Sequence, residues 1–193
     1  IQQWQFHVKD DPKVYARSGV INSLVKIADI IIVQYLHSWE SLALIEALKA
    51  VYKNKIFLTE IDDDVLHTPP WNDAFQQFQP GWKYRDVIVE QLKALDGIIV
   101  STSHLKDTYS EFNKHIYIVP NAIDFEAWGQ FKRKDASSQI RIGWVGGASH
   151  VEDLRTIEKP IKELLKEHKN VWFYCVHGIP EFFKDCSKIC CPN

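Results

Sequence analysis

The sequence predicts an α/β protein made of two parallel-sheet units. Three observations predict it. Short apolar runs rich in β-branched residues alternate with longer amphipathic stretches. A polar, charged segment at 122–139 interrupts the alternation once. The pattern then resumes with a strand-like run that ends in glycines. Alternating strands and helices build parallel βαβ units, with helices expected on both faces of the sheet.

Each element has its own signal. "WQFHV" (4–8) predicts a strand, and "ADIIIVQY" (28–35) a buried one. "SWESLALIEALKAVYK" (38–53) predicts a helix, with Ser38 or Ser41 as its N-cap. "KIFLTEI" (55–61) is the next strand. Residues 62–83 carry Pro69, Pro70, Pro80 and Gly81 and predict a long loop. Helices follow at 84–96 and 103–113, strands at 97–102 and 116–121. Beyond the 122–139 linker come a strand (140–147), a helix (149–168) kinked or split by Pro160, and a strand (171–176). Residues 1–121 thus form an N-terminal Rossmann-like domain, and 140–193 begin a second. Open α/β sheets place ligands at the carboxyl ends of their strands. If those ends face one another, a cleft forms, and domain junctions commonly hold small molecules.

Composition narrows the function. Of 193 residues, 46% are hydrophobic and 25% charged, the balance of a globular protein. A net charge of -2 gives no general attraction to nucleic acid, so no nucleic-acid partner is expected. The longest apolar run, around Ile30–Val33, is far short of the roughly 20 residues that span a bilayer. No basic-then-apolar leader opens the chain. A cytoplasmic location is expected, with peripheral contact to acidic lipid through Lys132-Arg133-Lys134 as a further option. Methionine is absent, so a complete translation product is not expected. Cys186, Cys190 and Cys191 crowd the end without a second cluster at zinc spacing, although His177 lies upstream. Reduced thiols are the expectation there.

Two stretches carry candidate chemistry. In "IRIGWVGGASHVEDL" a strand runs into Gly143, Gly146 and Gly147, and Ser149 stands at a helix start. Glycines let the backbone approach a ligand, and helix N-termini offer free amides, a combination suited to a diphosphate. Gly146, Gly147, Ser149 and His150 are therefore the candidate phosphate-binding residues. The spacing is not that of a dinucleotide fingerprint, and a tight turn capped by Ser149 is the plain structural alternative. The second stretch is "TEIDDDVLHTPPWN". Asp62, Asp63 and Asp64 follow a strand, where they would hold a divalent metal, position a polar substrate, or cap a turn. Asp62 and Asp63 are the candidates for function and Asp64 for the cap. Crowding should raise at least one carboxylate pKa. His67 and Trp71, in the same loop, are candidates for positioning substrate; Trp71, Trp82 and Tyr84 would either stack on a sugar or pack the loop. "IVPNAID" (118–124) reads as a hinge turn.

Taken in order, "TEIDDDVLHTPPWN", "IIVSTSHLKD", "IYIVPNAIDFEAW" and "IRIGWVGGASHVEDL" resemble retaining glycosyltransferases of the GT-B fold, family 4 type, over roughly residues 28–180. The resemblance implies two Rossmann-like domains, the first on the acceptor side and the second binding a nucleoside diphosphate sugar. It implies sugar transfer to an acceptor hydroxyl on a saccharide, lipid or protein, with retention and with neither cofactor nor divalent metal. It places Asp62 and Asp63 where the family has a His-Asp pair near the donor sugar, with Ile61 in the histidine's place. The family's diphosphate-binding Arg and Lys are not supplied by the Gly147 loop, so backbone amides and His150 would carry that load. The Glu-x7-Glu pair of the family's donor domain does not occur, which implies that 140–193 covers only the first part of that domain. Two rivals predict other chemistry. A metal-dependent GT-A glycosyltransferase would use Asp62–Asp64 to bind manganese and the diphosphate. A receiver-like or ligand-binding domain would not turn over substrate.

Overall fold

The computed structural model describes residues 20–129, 138–176 and 178–191. The strand expected at 4–8, the Lys132-Arg133-Lys134 stretch and His177 lie outside the described residues. The chain divides into two compact units. One comprises Ile1–Thr68 with Ala74–Ala122, the other Pro69–Asp73 with Ile123–Asn193.

The first unit runs α1 (Val20–Ile27), β1 (Ile30–Gln34), α2 (Trp39–Val51), β2 (Ile56–Ile61), α3 (Lys83–Ala94), β3 (Gly97–Val100), α4 (Ser103–Tyr109) and β4 (Ile116–Ile118). Single turns of 3-10 helix at Val65–His67 and Phe75–Phe78 break the loop between β2 and α3. Ser38 caps α2 by accepting from the Ser41 amide, which settles the choice between the two serines. Thr102, one residue before the expected start, caps α4 by accepting from the Leu105 amide.

The four strands are parallel, in the order β1-β2-β3-β4. That order explains a departure from expectation. Right-handed crossovers that all step in one direction put every connecting helix on the same face. Helices on both faces require the strand order to reverse, and among the described strands it does not. Phe57, Thr59, Ile61, Ile98 and Val100 face the helices and are buried. They pack on Leu48 of α2, Ile88 and Leu92 of α3, and Leu105 and Tyr109 of α4. On the other face Ile30 and Ile32 are 53% and 58% exposed, with Ile56 exposed beside Ile30 and Tyr117 exposed on β4. The β1 strand was expected to be buried; it lies at the sheet edge among the described strands, and three of its five residues are exposed.

The second unit holds α5 (Phe125–Trp128), β5 (Ile140–Val145), α6 (Val151–Arg155), α7 (Glu158–Glu167), β6 (Val171–Val176) and β7 (Ile189–Cys190). The expected linker contains α5, whose first amides bond the Asp124 carboxylate. The helix expected over 149–168 divides at Thr156–Ile157. Pro160 is the reason: it has no N–H for the Thr156 carbonyl and its ring crowds that oxygen, so Pro160 fits only in the first turn of a new helix. Strands β5, β6 and β7 are parallel in that order. Their core joins Leu154, Leu165, Phe173, Cys175, Phe183 and Ile189. Thus Ile189–Cys190, in the cysteine-rich end, is a strand, and the four cysteines are free thiols. No helix among the described residues is long and apolar enough to cross a membrane.

Candidate functional site

Parallel pairing brings the carboxyl ends of β1, β2 and β3 to one edge of the first sheet. The segment after β2 is the most polar. Asp62 and Asp63 are exposed, and Asp64 is partly buried. Asp64 caps the Val65–His67 turn, accepting from the His67 amide at 3.2 Å. Its carboxylate also lies 3.0 Å from Nδ1 of His67 and 3.1 Å from Nε2 of His104, the second residue of α4. One carboxylate therefore holds two imidazoles, one local and one from the next βα connection.

The charges respond to this arrangement. Partial burial pushes the Asp64 carboxyl up, but bonds from His67 and His104 outweigh it, and the group sits below the usual Asp value. Glu60 of β2 sits above the usual Glu value. Burial is the largest cause; a bond with Gln34 opposes the rise, and Asp62 and Asp63 add to it. Burial, then Asp63, Asp62 and Glu60, raise the Tyr35 hydroxyl in the same way.

Two buried side chains hold these loops in place. The Tyr109 hydroxyl donates to the Asp63 carbonyl and accepts from the Val65 amide, so α4 grips the aspartate segment. Burial, together with Asp64 and Asp63, raises its pKa well above the ordinary tyrosine value, although the bond from Val65 opposes this. Gln91 of α3 does the same work for the segment after β1. Its Oε1 accepts from the Leu36 amide at 2.7 Å, and its Nε2 donates to Thr59 Oγ1 at 2.6 Å and to the Gln34 carbonyl at 3.1 Å. Just beyond, His37 packs against Tyr35 and edge-on to Tyr84, with centroids 5.4 and 5.2 Å away.

The structure brings Asp64, His67 and His104 into contact, with exposed Asp62 and Asp63 next to them in the chain. Trp71 and Trp82 are exposed. Sequence reasoning missed His104 and His37. "IIVSTSHLKD" placed His104 just after a strand, but nothing in its spacing named Asp64, 40 residues away, as its partner. Among the described residues, no group of three His, Cys, Asp or Glu is arranged to hold a metal ion.

The glycine turn of the second unit differs from expectation. Gly146 and Gly147 lead into a 3-10 turn at Ala148–His150 and then the five-residue α6. His150, not Ser149, stands at the N-cap of α6, and it makes no side-chain cap bond. Its Nδ1 lies 2.8 Å from Asp153, and Glu152 and Asp153 are the acidic residues of the first turn. Neither glycine has a positive φ among the described backbone. A Cβ on Gly146 would stand 2.5 Å from the Trp144 indole, so packing against Trp144 is one demand on that glycine.

No family profile matches the chain, and no curated protein matches it by sequence. Solved structures are similar to it at a distance. S. aureus MnaA, solved with UDP, aligns over 99% of this chain and 53% of its own, with 11% identity and a TM-score of 0.46. A Listeria monocytogenes protein described as a UDP-N-acetylglucosamine 2-epimerase aligns over 90% of this chain and 50% of its own, with 14% identity and a TM-score of 0.44. The chain spans about half the length of these two structures.

Proposed function

We propose that this protein is a nucleotide-sugar enzyme, and specifically a glycosyltransferase that moves a sugar from a nucleoside diphosphate sugar to an acceptor hydroxyl with retention. The observation that carries the reading is the polar edge of the first sheet. Carboxylates, imidazoles and tyrosine hydroxyls from three successive connections collect where parallel sheets bind ligands. The ordered motifs that resemble GT-B glycosyltransferases support the same reading. On it, the first unit serves the acceptor, with Asp62 and Asp63 orienting the sugar or stabilising charge that develops on it. The second unit serves the donor, with amides at Gly146 and Gly147, Ser149 and His150 meeting the diphosphate. Positioning and fixed dipoles supply the rate enhancement. The acceptor is a saccharide, lipid or protein hydroxyl, and neither cofactor nor metal is required.

A thermal-shift panel of UDP, GDP and ADP, with their glucose, N-acetylglucosamine and mannose conjugates, tests this on the full chain with and without EDTA. A shift of several degrees that survives EDTA is expected for at least one nucleotide. A shift abolished by EDTA transfers the reading to metal-dependent transfer through Asp62–Asp64. No response to any nucleotide leaves a domain that neither binds nor processes these donors.

A further inference from the structure

Three rings meet at the segment after β1, and that segment is anchored on both sides. Gln91 is fully buried, and its amide accepts from the Leu36 N–H at 2.7 Å and donates to the Gln34 carbonyl at 3.1 Å. Two residues beyond Leu36, Ser38 is held as the N-cap of α2. His37 stands between these anchors and is exposed. Its ring centroid lies 5.4 Å from that of Tyr35 and 5.2 Å from that of Tyr84, which meets it edge-on. Tyr35 rests against the first core, and both tyrosines are partly buried. An exposed ring such as His37 removes little apolar area from water, so its own burial does not account for so firmly held a backbone. A ligand that stacks on the ring does, because a surface already in place loses little freedom on binding. Polar groups stand beside the rings. Strands β1 and β2 pair with Gln34 opposite Glu60, so the segments that follow them leave the sheet side by side. The segment after β2 carries Asp62 and Asp63, both exposed, and both add to the rise that burial causes in the Tyr35 pKa. Aromatic faces next to carboxylates match one class of ligand. A pyranose ring turns C–H groups toward an aromatic face and hydroxyls outward, and carboxylates accept strongly from hydroxyls. The two negative charges oppose a uronic or phosphorylated sugar.

We propose that Tyr35, His37 and Tyr84, with Asp62 and Asp63, form a binding site for a neutral saccharide. All five residues belong to the first unit. The His37 and Tyr84 rings supply the stacking surface, and the carboxylates and the Tyr35 hydroxyl bond the sugar's hydroxyls. Gln91 touches no ligand and positions the segment that presents His37. The saccharide is the acceptor, a role that rests on the sugar-transfer reading above, and the choice among saccharide, lipid and protein acceptors narrows to the first.

Saturation-transfer NMR on the full chain tests the site without a donor. The neutral probes are the methyl glycosides of glucose, N-acetylglucosamine, galactose, mannose and rhamnose, with chitotriose and maltotriose as longer ligands. Trigalacturonic acid is the anionic comparison. Transfer to at least one neutral probe is expected, strongest at the C–H groups of one ring face. His37→Ala and Tyr84→Ala should each weaken that binding about 2- to 10-fold. Tyr84→Phe keeps the ring and should bind as wild type does, which separates loss of stacking from a general loss of fold. Absence of transfer to every neutral probe, equal binding of trigalacturonic acid, or wild-type binding in both alanine variants overturns the proposal. The nucleotide panel distinguishes this failure from failure of the transfer reading. A chain that binds a neutral saccharide and responds to no nucleotide has the site without the transfer activity. A chain that responds to a nucleotide and binds no neutral saccharide lacks the site and keeps the transfer reading, with a lipid or protein as acceptor.

Discussion

The Tyr109 hydroxyl donates to the backbone carbonyl of Asp63 at 2.5 Å, so a fully buried side chain of α4 fixes the main chain of the aspartate segment. The same oxygen accepts from the Val65 amide. Tyr109→Phe keeps the ring's packing and removes both bonds. Taking one partner from a buried polar group costs about 1–3 kcal/mol, and a loss of that size is expected in urea denaturation. A loss below about 0.5 kcal/mol would mean that water takes the hydroxyl's place.

Stability should fall at both ends of the pH scale, for separate reasons. Asp64 and Asp96 lie below their usual values in the folded chain. In Asp96 burial pushes upward, and the Lys49 ammonium and the Phe57 amide outweigh it. Groups with depressed folded pKa values stabilise fully above their unfolded value, about 3.9, and lose that contribution as pH falls through the folded value. Tyr109 is raised, so its contribution is complete below about pH 10 and is lost as pH rises past that. Glu60, also raised, acts against the acid loss. Melting temperature against pH should therefore show a shallower acid limb for Asp64→Asn, a steeper one for Glu60→Gln, and a flatter alkaline limb for Tyr109→Phe. An unchanged acid limb in Asp64→Asn would show that its two histidine contacts do not persist in solution.

Strands were the most legible part of the sequence. Runs such as "IIIV" and "VWFYCV" announce themselves by β-branching and flanking turns, and they lie where expected. Less was visible wherever the answer depended on a distant partner. Whether helices cover one face or two depends on strand order, and no local pattern encodes strand order. The three-aspartate run was legible as a polar loop after a strand. It could not say that Asp64, the residue read as a cap, would also bind two histidines, because His104 reaches it only after β3 and α4 are in place. The glycines of the second unit show the same limit. They look alike in sequence, yet Gly146 is crowded by Trp144 and Gly143 has nothing near it.

Gln91→Leu tests how the segment after β1 is held. Gln91 is fully buried, and its amide is spread over Leu36, Thr59 and Gln34. Leucine matches its volume but strands the Leu36 amide and the Thr59 hydroxyl in the core. The expected cost is about 2–4 kcal/mol. Faster amide exchange should appear at Leu36 and spread to His37. Full stability in this variant would show that the network is not a support for the site edge.

The Gly146–Gly147 turn can be asked whether packing or a ligand demands its first glycine. A Cβ at 146 would meet Trp144 Cζ2 at 2.5 Å and Cε2 at 3.0 Å. Trp144 is partly buried and packs against the second core. Gly146→Ala should therefore destabilise by about 1–3 kcal/mol through overpacking. In a Trp144→Leu background the clash is gone, so the same change should cost at least about 1 kcal/mol less. The nucleotide-induced thermal shift of that double variant then separates the two demands. Packing as the sole demand predicts that the shift returns with stability. A donor diphosphate lying against the turn predicts that stability returns while the shift stays lost, since the new methyl group still blocks the backbone's approach. Equal cost of Gly146→Ala in both backgrounds would exclude the Trp144 clash as the reason for the glycine.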